Sequence, residues 1–328
     1  IGPDGKLIRT IGREGEGPGE FRSTFIAVHG ANLVVHDPQL SRTSVFDTSG
    51  TYLRSWASSC CYWSDITVDR AGLIYIPTSG QRNDKIRAHY IRFRLDGTTV
   101  DTIGIPDHGE EGKSWSVSGG SGGNKMMMMT AVPFTPAVRI AINPAGGAIY
   151  GWSGDYRLVV SPDGKDTARV FGRDWTAPPL AESRKDAAVD AAVTNFMHSP
   201  ASWDENALRK AFHKSDIPNT VPAFESLDVD RDGNIWVRRD NGGDSTVTLL
   251  DVFDSTGAYL GPVRLGAKTE QYPGWAWGRD EVAIVEQSED GLPIVVIYGS
   301  GMPPVGKDVA ARNLSLRGGG GAADEAIP

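Results

Sequence analysis

Cysteine is nearly absent: the 328 residues hold two, and they are neighbours, Cys60 and Cys61. That excludes a disulfide framework and any four-cysteine zinc site. Long apolar runs are missing as well. No stretch approaches the roughly 18 residues that a membrane-spanning helix needs, and MMMM at 126–129 is far too short. Cationic patterning is also lacking. The net charge is −8 and Lys and Arg form no dense stripe, so no footprint for nucleic acid is present. No signal-peptide pattern is read at the start of this sequence. Ile1 and Gly2 precede a Pro-Asp-Gly turn, and the chain is expected to be a mature or truncated sequence.

Glycine and proline are abundant instead, at 40 and 20 residues, which points to many short elements joined by tight turns. The 9 Trp, 9 Tyr and 10 Phe supply a core and argue against disorder.

One turn recurs: PDGK (3–6), DTSGT (47–51), LDGT (95–98), SPDGK (161–165) and DSTGA (254–258). Each links two short apolar or aromatic runs, the pattern of a β-hairpin. A second series lies upstream within each unit: FIAVHGANLVVHD (25–37), DITVDRAGLIYIP (65–77), RIAINPAGGAIYGW (139–152), SLDVDRDGNIWVR (226–238) and WAWGRDEVAIVEQ (275–287). Two hairpins make a four-stranded antiparallel unit, with strands a to d in chain order. Four units are complete at 25–56, 65–104, 138–172 and 224–265, and a fifth runs from 275 to about 300. Residues 6–11 look like a lone d strand without its a, b and c. Five units and an orphan strand predict a six-bladed β-propeller with an incomplete first blade, because a single unit cannot bury both faces without stacked neighbours. The predicted domain is 1–300, with a helical cap inserted at about 173–223 and a flexible tail at 301–328. The cap rests on ESRKDAAVDAAVTNFM (182–197) and ENALRKAFHK (205–214), which space apolar residues as helices do, with Ser202 as an N-cap.

GREGEGPGEF (12–21), the LVVHD strand and RTSVFDTSGTYLRSW resemble the NHL-repeat propellers, especially the secreted bacterial six-bladed proteins of that group. DVDRDGNIWV and DITVDRAGLIYI share the cadence. The resemblance covers residues 1 to about 300. It implies the fold and an extracellular or periplasmic location. It implies function only broadly, since such propellers range from partner-binding modules to lyases and lactonases. In that family a complete blade would precede KLIRTIG, so the chain reads as a fragment. An open blade seam would invite self-association.

In an up-and-down blade the a→b and c→d turns share one side of the disc. All the tight glycine turns fall there. The other side receives every long connection: 12–24, 57–64, 105–137, 173–223 and 266–274. Function usually sits on such elaborated loops. GREGEGPGEF is one of them, a blade-to-blade connection with Phe21 packed between blades. Its glycines suit a phosphate cradle, but no GK[ST] follows, and Glu14, Glu16 and Glu20 would repel a phosphate.

Aromatic residues on these loops are the ligand-binding candidates: Tyr62, Trp63, Trp152, Trp203 and Tyr272. Rings near a channel mouth suit a small molecule, glycan or peptide, or a protein partner. The main expectation is therefore a ligand- or protein-binding propeller. The alternative is a metal-assisted hydrolase or lyase. The resembling lyases and lactonases gather ligands from separate blades, which for this chain nominates His36, Asp65, His198 and Glu225 for Ca or Zn. DVDRDGN (228–234) opens like a calcium-binding loop, but Arg239 stands where the terminal glutamate belongs, and a hairpin turn explains it. Cys60 and Cys61, at a blade junction, are expected to close a vicinal disulfide, which would fit an oxidising compartment.

Overall fold

The computed structural model describes residues 6–58, 65–78, 86–108, 112–119, 126–199, 203–244, 246–266, 269, 275–278, 281–287, 292–299 and 312–313. The chain divides into two compact units, residues 1–227 and 228–328.

The first unit opens with β1 (Arg13–Glu14) and β2 (Glu20–Phe21), a short parallel bridge. β3 (Phe25–His29), β4 (Asn32–Asp37), β5 (Arg42–Asp47) and β6 (Tyr52–Ala57) form an antiparallel sheet in chain order. β7 (Thr67–Val68), β8 (Ile74–Thr78), β9 (Ile86–Phe93) and β10 (Thr99–Pro106) form the second. The hairpin β11 (Ser114–Gly119) and β12 (Met126–Ala131) follows. β13 (Val138–Ile142), β14 (Ala148–Trp152), β15 (Arg157–Ser161) and β16 (Arg169–Gly172) form the third four-stranded sheet. Helices α1 (Glu182–Met197) and α2 (Glu205–Ala211) complete the unit.

Burial explains this order. The middle strands β4 and β5 are apolar on both faces and largely buried, while β6 at the rim is mostly exposed. Two buried faces per sheet require neighbours on both sides. Phe25 and Val34 of the first sheet share a core with Ile74, Ile76 and Phe93 of the second. Tyr75, Ile103 and Ile105 of the second pack with Ala148 of the third. At Gly164, φ is +81° and a Cβ would overlap the Gly104 carbonyl oxygen, so only glycine lets the third sheet's turn approach the second's strand so closely.

The second unit takes up the chain within β17 (Ser226–Val229), which continues into β18 (Ile235–Arg239), β19 (Thr248–Phe253) and β20 (Tyr259–Leu265). A three-stranded sheet follows: β21 (Ala276–Trp277), β22 (Glu281–Gln287) and β23 (Pro293–Gly299). β24 (Arg312–Asn313), within the stretch expected to be a flexible tail, pairs in parallel with Val263 and Arg264 of β20. Trp236, Leu250, Val263, Trp275, Val282 and Tyr298 form the core of this unit.

Among the described residues the fold is an all-β β-propeller with five blades, which corrects the expected six. Three blades lie in the first unit and two in the second. The sixth rests on residues 6–11 as an orphan strand, but residues 6–12 form no strand. An apolar-alternating run is a strand only where a neighbour takes its backbone N–H and C=O groups, and sequence pattern does not supply that neighbour. The helical insertion is small, two helices as expected. α1 begins and ends at the expected residues. The N-cap of α2 is Asp204 rather than Ser202, which lies outside the described residues, and its carboxylate accepts the Ala207 N–H at 2.7 Å.

Candidate functional site

The 12–24 connection is built as a fixed corner. The Arg42 guanidinium donates to three carbonyls on it, Glu16 at 2.7 Å, Gly17 at 3.0 Å and Glu20 at 2.7 Å. The Glu20 carboxylate accepts the Gly17 N–H and the Arg13 Nε, both at 2.7 Å. Those two bonds, Gly17 first, hold its pKa below the ordinary carboxylate value. Asp37 fixes the exit, accepting the N–H groups of Arg22, Gln39 and Leu40 at 2.7, 2.9 and 3.1 Å. Phe21 packs edge-on against Phe46 of the first blade, centroids 5.6 Å apart. Gly12, at φ +75°, leaves no room for a Cβ beside the Phe21 ring. Every carbonyl and carboxylate named here is engaged internally, so this loop is a structural element.

His36 lies near the end of β4 in a polar knot. Its Nδ1 lies 3.0 Å from Thr43 Oγ1 and 3.2 Å from Ser58 Oγ, and the two hydroxyls are 2.7 Å apart. The residue is 1% exposed, and Nε2 has no hydrogen-bond partner among the described residues. Burial lowers the imidazole pKa, with Asp37 opposing, and so favours the neutral ring. The other residues nominated with it differ in setting. His198 is exposed, with Nδ1 2.8 Å from the Thr194 carbonyl of its own helix. Asp65 is exposed and Glu225 half-buried. Among the described residues no three His, Cys, Asp or Glu side chains form a group able to hold a metal ion. In the calcium-loop look-alike the Asp230 carboxylate is filled by the Asp232 and Asn234 N–H groups, Asn234 Nδ2 and Trp236 Nε1. That is the hairpin turn expected from sequence.

The two longest connections meet. Trp115 and Val117 of β11 share a core with Val193 of α1, Leu208 of α2, Phe212, Ile217 and Val221. Trp115 stacks on Phe212 at 4.9 Å and donates its Nε1–H to Asp216 Oδ2 at 3.0 Å. Trp203 packs edge-on to Phe196 at 5.2 Å and donates to Ser199 Oγ at 2.8 Å. Its ring also fills the space where a side chain on Gly119 would stand. The cap is thus a hairpin and two helices around their own core, with Trp203 part of that packing. Sequence reasoning misses the hairpin. SWSVSG alternates polar and apolar, and GSGGNK after it is a turn signal, so the information is present.

Trp152, at the end of β14, carries the geometry most suited to binding. The His108 imidazole, just past β10, lies parallel over its indole at 4.6 Å with 3° between the planes. Trp152 is half-buried and His108 exposed. The base of this place is firm: buried Ser153 accepts the Ala137 N–H on Oγ at 2.9 Å and the Ala223 N–H on its carbonyl at 2.7 Å. Tyr156 beside it packs on Phe224 at 5.6 Å and Trp175 at 6.1 Å. Gly154 stands bare because Trp152 Nε1 occupies the position of a Cβ. The stack joins the ends of two adjacent blades, and no sequence spacing announces it. Tyr62, Trp63, Tyr272, Cys60 and Cys61 lie outside the described residues.

Neither any family model nor any curated protein matches this chain. Solved structures do. Hydrazine synthase of Kuenenia stuttgartiensis aligns at 12% identity over 90% of this chain and 67% of its own, with a TM-score of 0.41. A putative exported protein of Bacteroides fragilis aligns at 11% over 86% and 71%, TM-score 0.42. Regucalcin, a calcium-binding protein of Agrobacterium tumefaciens, aligns at 11% over 89% and 78%, TM-score 0.35. The likeness is distant, with every one of these TM-scores below 0.5. At such identities it carries nothing about chemistry.

Proposed function

We propose that this protein is a ligand-binding propeller of NHL type, exported from its cell, whose working surface is the loop side of the first unit at Trp152 and His108. The parallel stack of these two rings carries the reading. An exposed imidazole on a half-buried indole marks a face that accepts a flat partner, and Ser153 and Tyr156 hold that face in place. A sugar ring or the aromatic side chain of a peptide fits the same chemistry, gaining apolar contact on the ring face and polar contact at its rim. In this reading His108 holds the place that the ligand ring takes, and swings away when it binds.

The test is a pair of substitutions in the full chain. Trp152→Leu removes the platform and should abolish retention of the glycans or aromatic peptides that the native protein captures from a mixed library. His108→Ala clears the face and should strengthen that retention. Equal capture by all three proteins would refute the assignment.

A further inference from the structure

The hairpin β11–β12 contains four consecutive methionines, and strand preference does not account for them, since strands favour β-branched and aromatic residues. Nor does packing. Met127 is 69% exposed, Met128 40% and Met129 64%. The register explains why. Trp115 and Val117 pair with Thr130 and Met128, on the face that carries the buried residues of β11. Ser116 and Ser118 pair with Met129 and Met127 on the opposite face. Both serines are exposed and too short to cover the thioethers beside them. Two methionines turned outward on one short strand cost solubility and return no core.

We infer that Met127 and Met129 form a binding site for a soft monovalent metal ion, Cu(I) or Ag(I). Residues two apart on a strand share a face, about 6.8 Å apart at a rise of ~3.4 Å per residue. Each Met has three rotatable bonds and a polarizable sulfur, so two thioethers at that spacing close onto one ion. Neutral thioether sulfur selects soft ions and discriminates against Ca(II) and Mg(II), which require oxygen ligands. Thioethers also stay unprotonated in acid, so binding persists where imidazole or thiolate sites fail. The site is independent of the Trp152 surface.

The test uses the full chain labelled with carbon-13 at the methionine methyls and titrated with Ag(I) in chloride-free buffer. The Met127 and Met129 methyl resonances should shift together and saturate at one ion. This readout ignores silver taken up by Cys60 and Cys61, whose thiols carry no methyl label. Met127→Leu and Met129→Leu each preserve volume and should each weaken the response of the remaining methionine about tenfold or more. Met128→Leu should leave it within about twofold. Ca(II) should move nothing. Absence of methyl shifts in the folded native protein would overturn the inference, as would a Met128→Leu loss equal to that of the other two.

Discussion

The Tyr75 hydroxyl donates to Asp69 Oδ2 at 3.1 Å, and both side chains are buried. The same oxygen of Tyr75 accepts the Gly147 N–H at 2.9 Å, from the turn of the next blade. Trp236 repeats the first half of this latch in the second unit, donating to Asp230 Oδ2 six residues upstream. An Asp that closes a hairpin turn and an aromatic donor in the following strand thus form one repeated device, and in the first unit it also joins two blades.

Tyr75→Phe keeps the ring but removes both bonds, leaving the Gly147 N–H and the Asp69 carboxylate each one partner short. The expected loss is about 1–3 kcal/mol of unfolding free energy, read from urea denaturation. A loss indistinguishable from zero would show that the hydroxyl does not join the blades.

Gly119→Ala tests the packing of the insertion. The new methyl collides with the Trp203 ring, and overpacking of this kind costs about 1–3 kcal/mol. Amide exchange should accelerate in α1, α2 and β11 and stay unchanged in β13–β16. Acceleration spread evenly over the blades would mean that the insertion has no core of its own.

His36 gives the stability a pH dependence with a definite sign. Burial lowers its native pKa below the ordinary 6.5. As pH falls below that ordinary value, the unfolded chain takes up a proton that the native ring refuses. Stability is therefore fully present above about pH 6.5 and declines toward acid. The difference in unfolding free energy between native protein and His36→Phe, followed from pH 8 to pH 5, should isolate this slope. A flat difference would contradict the burial argument.

The blades are legible in the sequence because their signals are local. Asp-Gly and Ser-Gly turns between alternating runs place the strands within a few residues, and alanine spacing places α1 at Glu182–Met197. The blade count fails at KLIRTIG, where the residues have strand character but the partner strand is a tertiary fact. The candidate site is half legible. Trp152 stands out from its loop position, yet its stacking partner His108 comes from another blade, and only folding brings the two together. Trp203 reads as a ligand contact from sequence because its neighbours Gly119 and Ser199 become visible only in the fold.

Binding of a flat ligand on the Trp152 face is tested most directly by native mass spectrometry. Wild type, Trp152→Leu and His108→Ala are each incubated with one mixed library of glycans and aromatic peptides, with thermal unfolding recorded in parallel. The predicted result is a bound species on the wild type, more of it on His108→Ala, and none on Trp152→Leu, whose fold stays intact. The same bound species on a folded Trp152→Leu protein would contradict it.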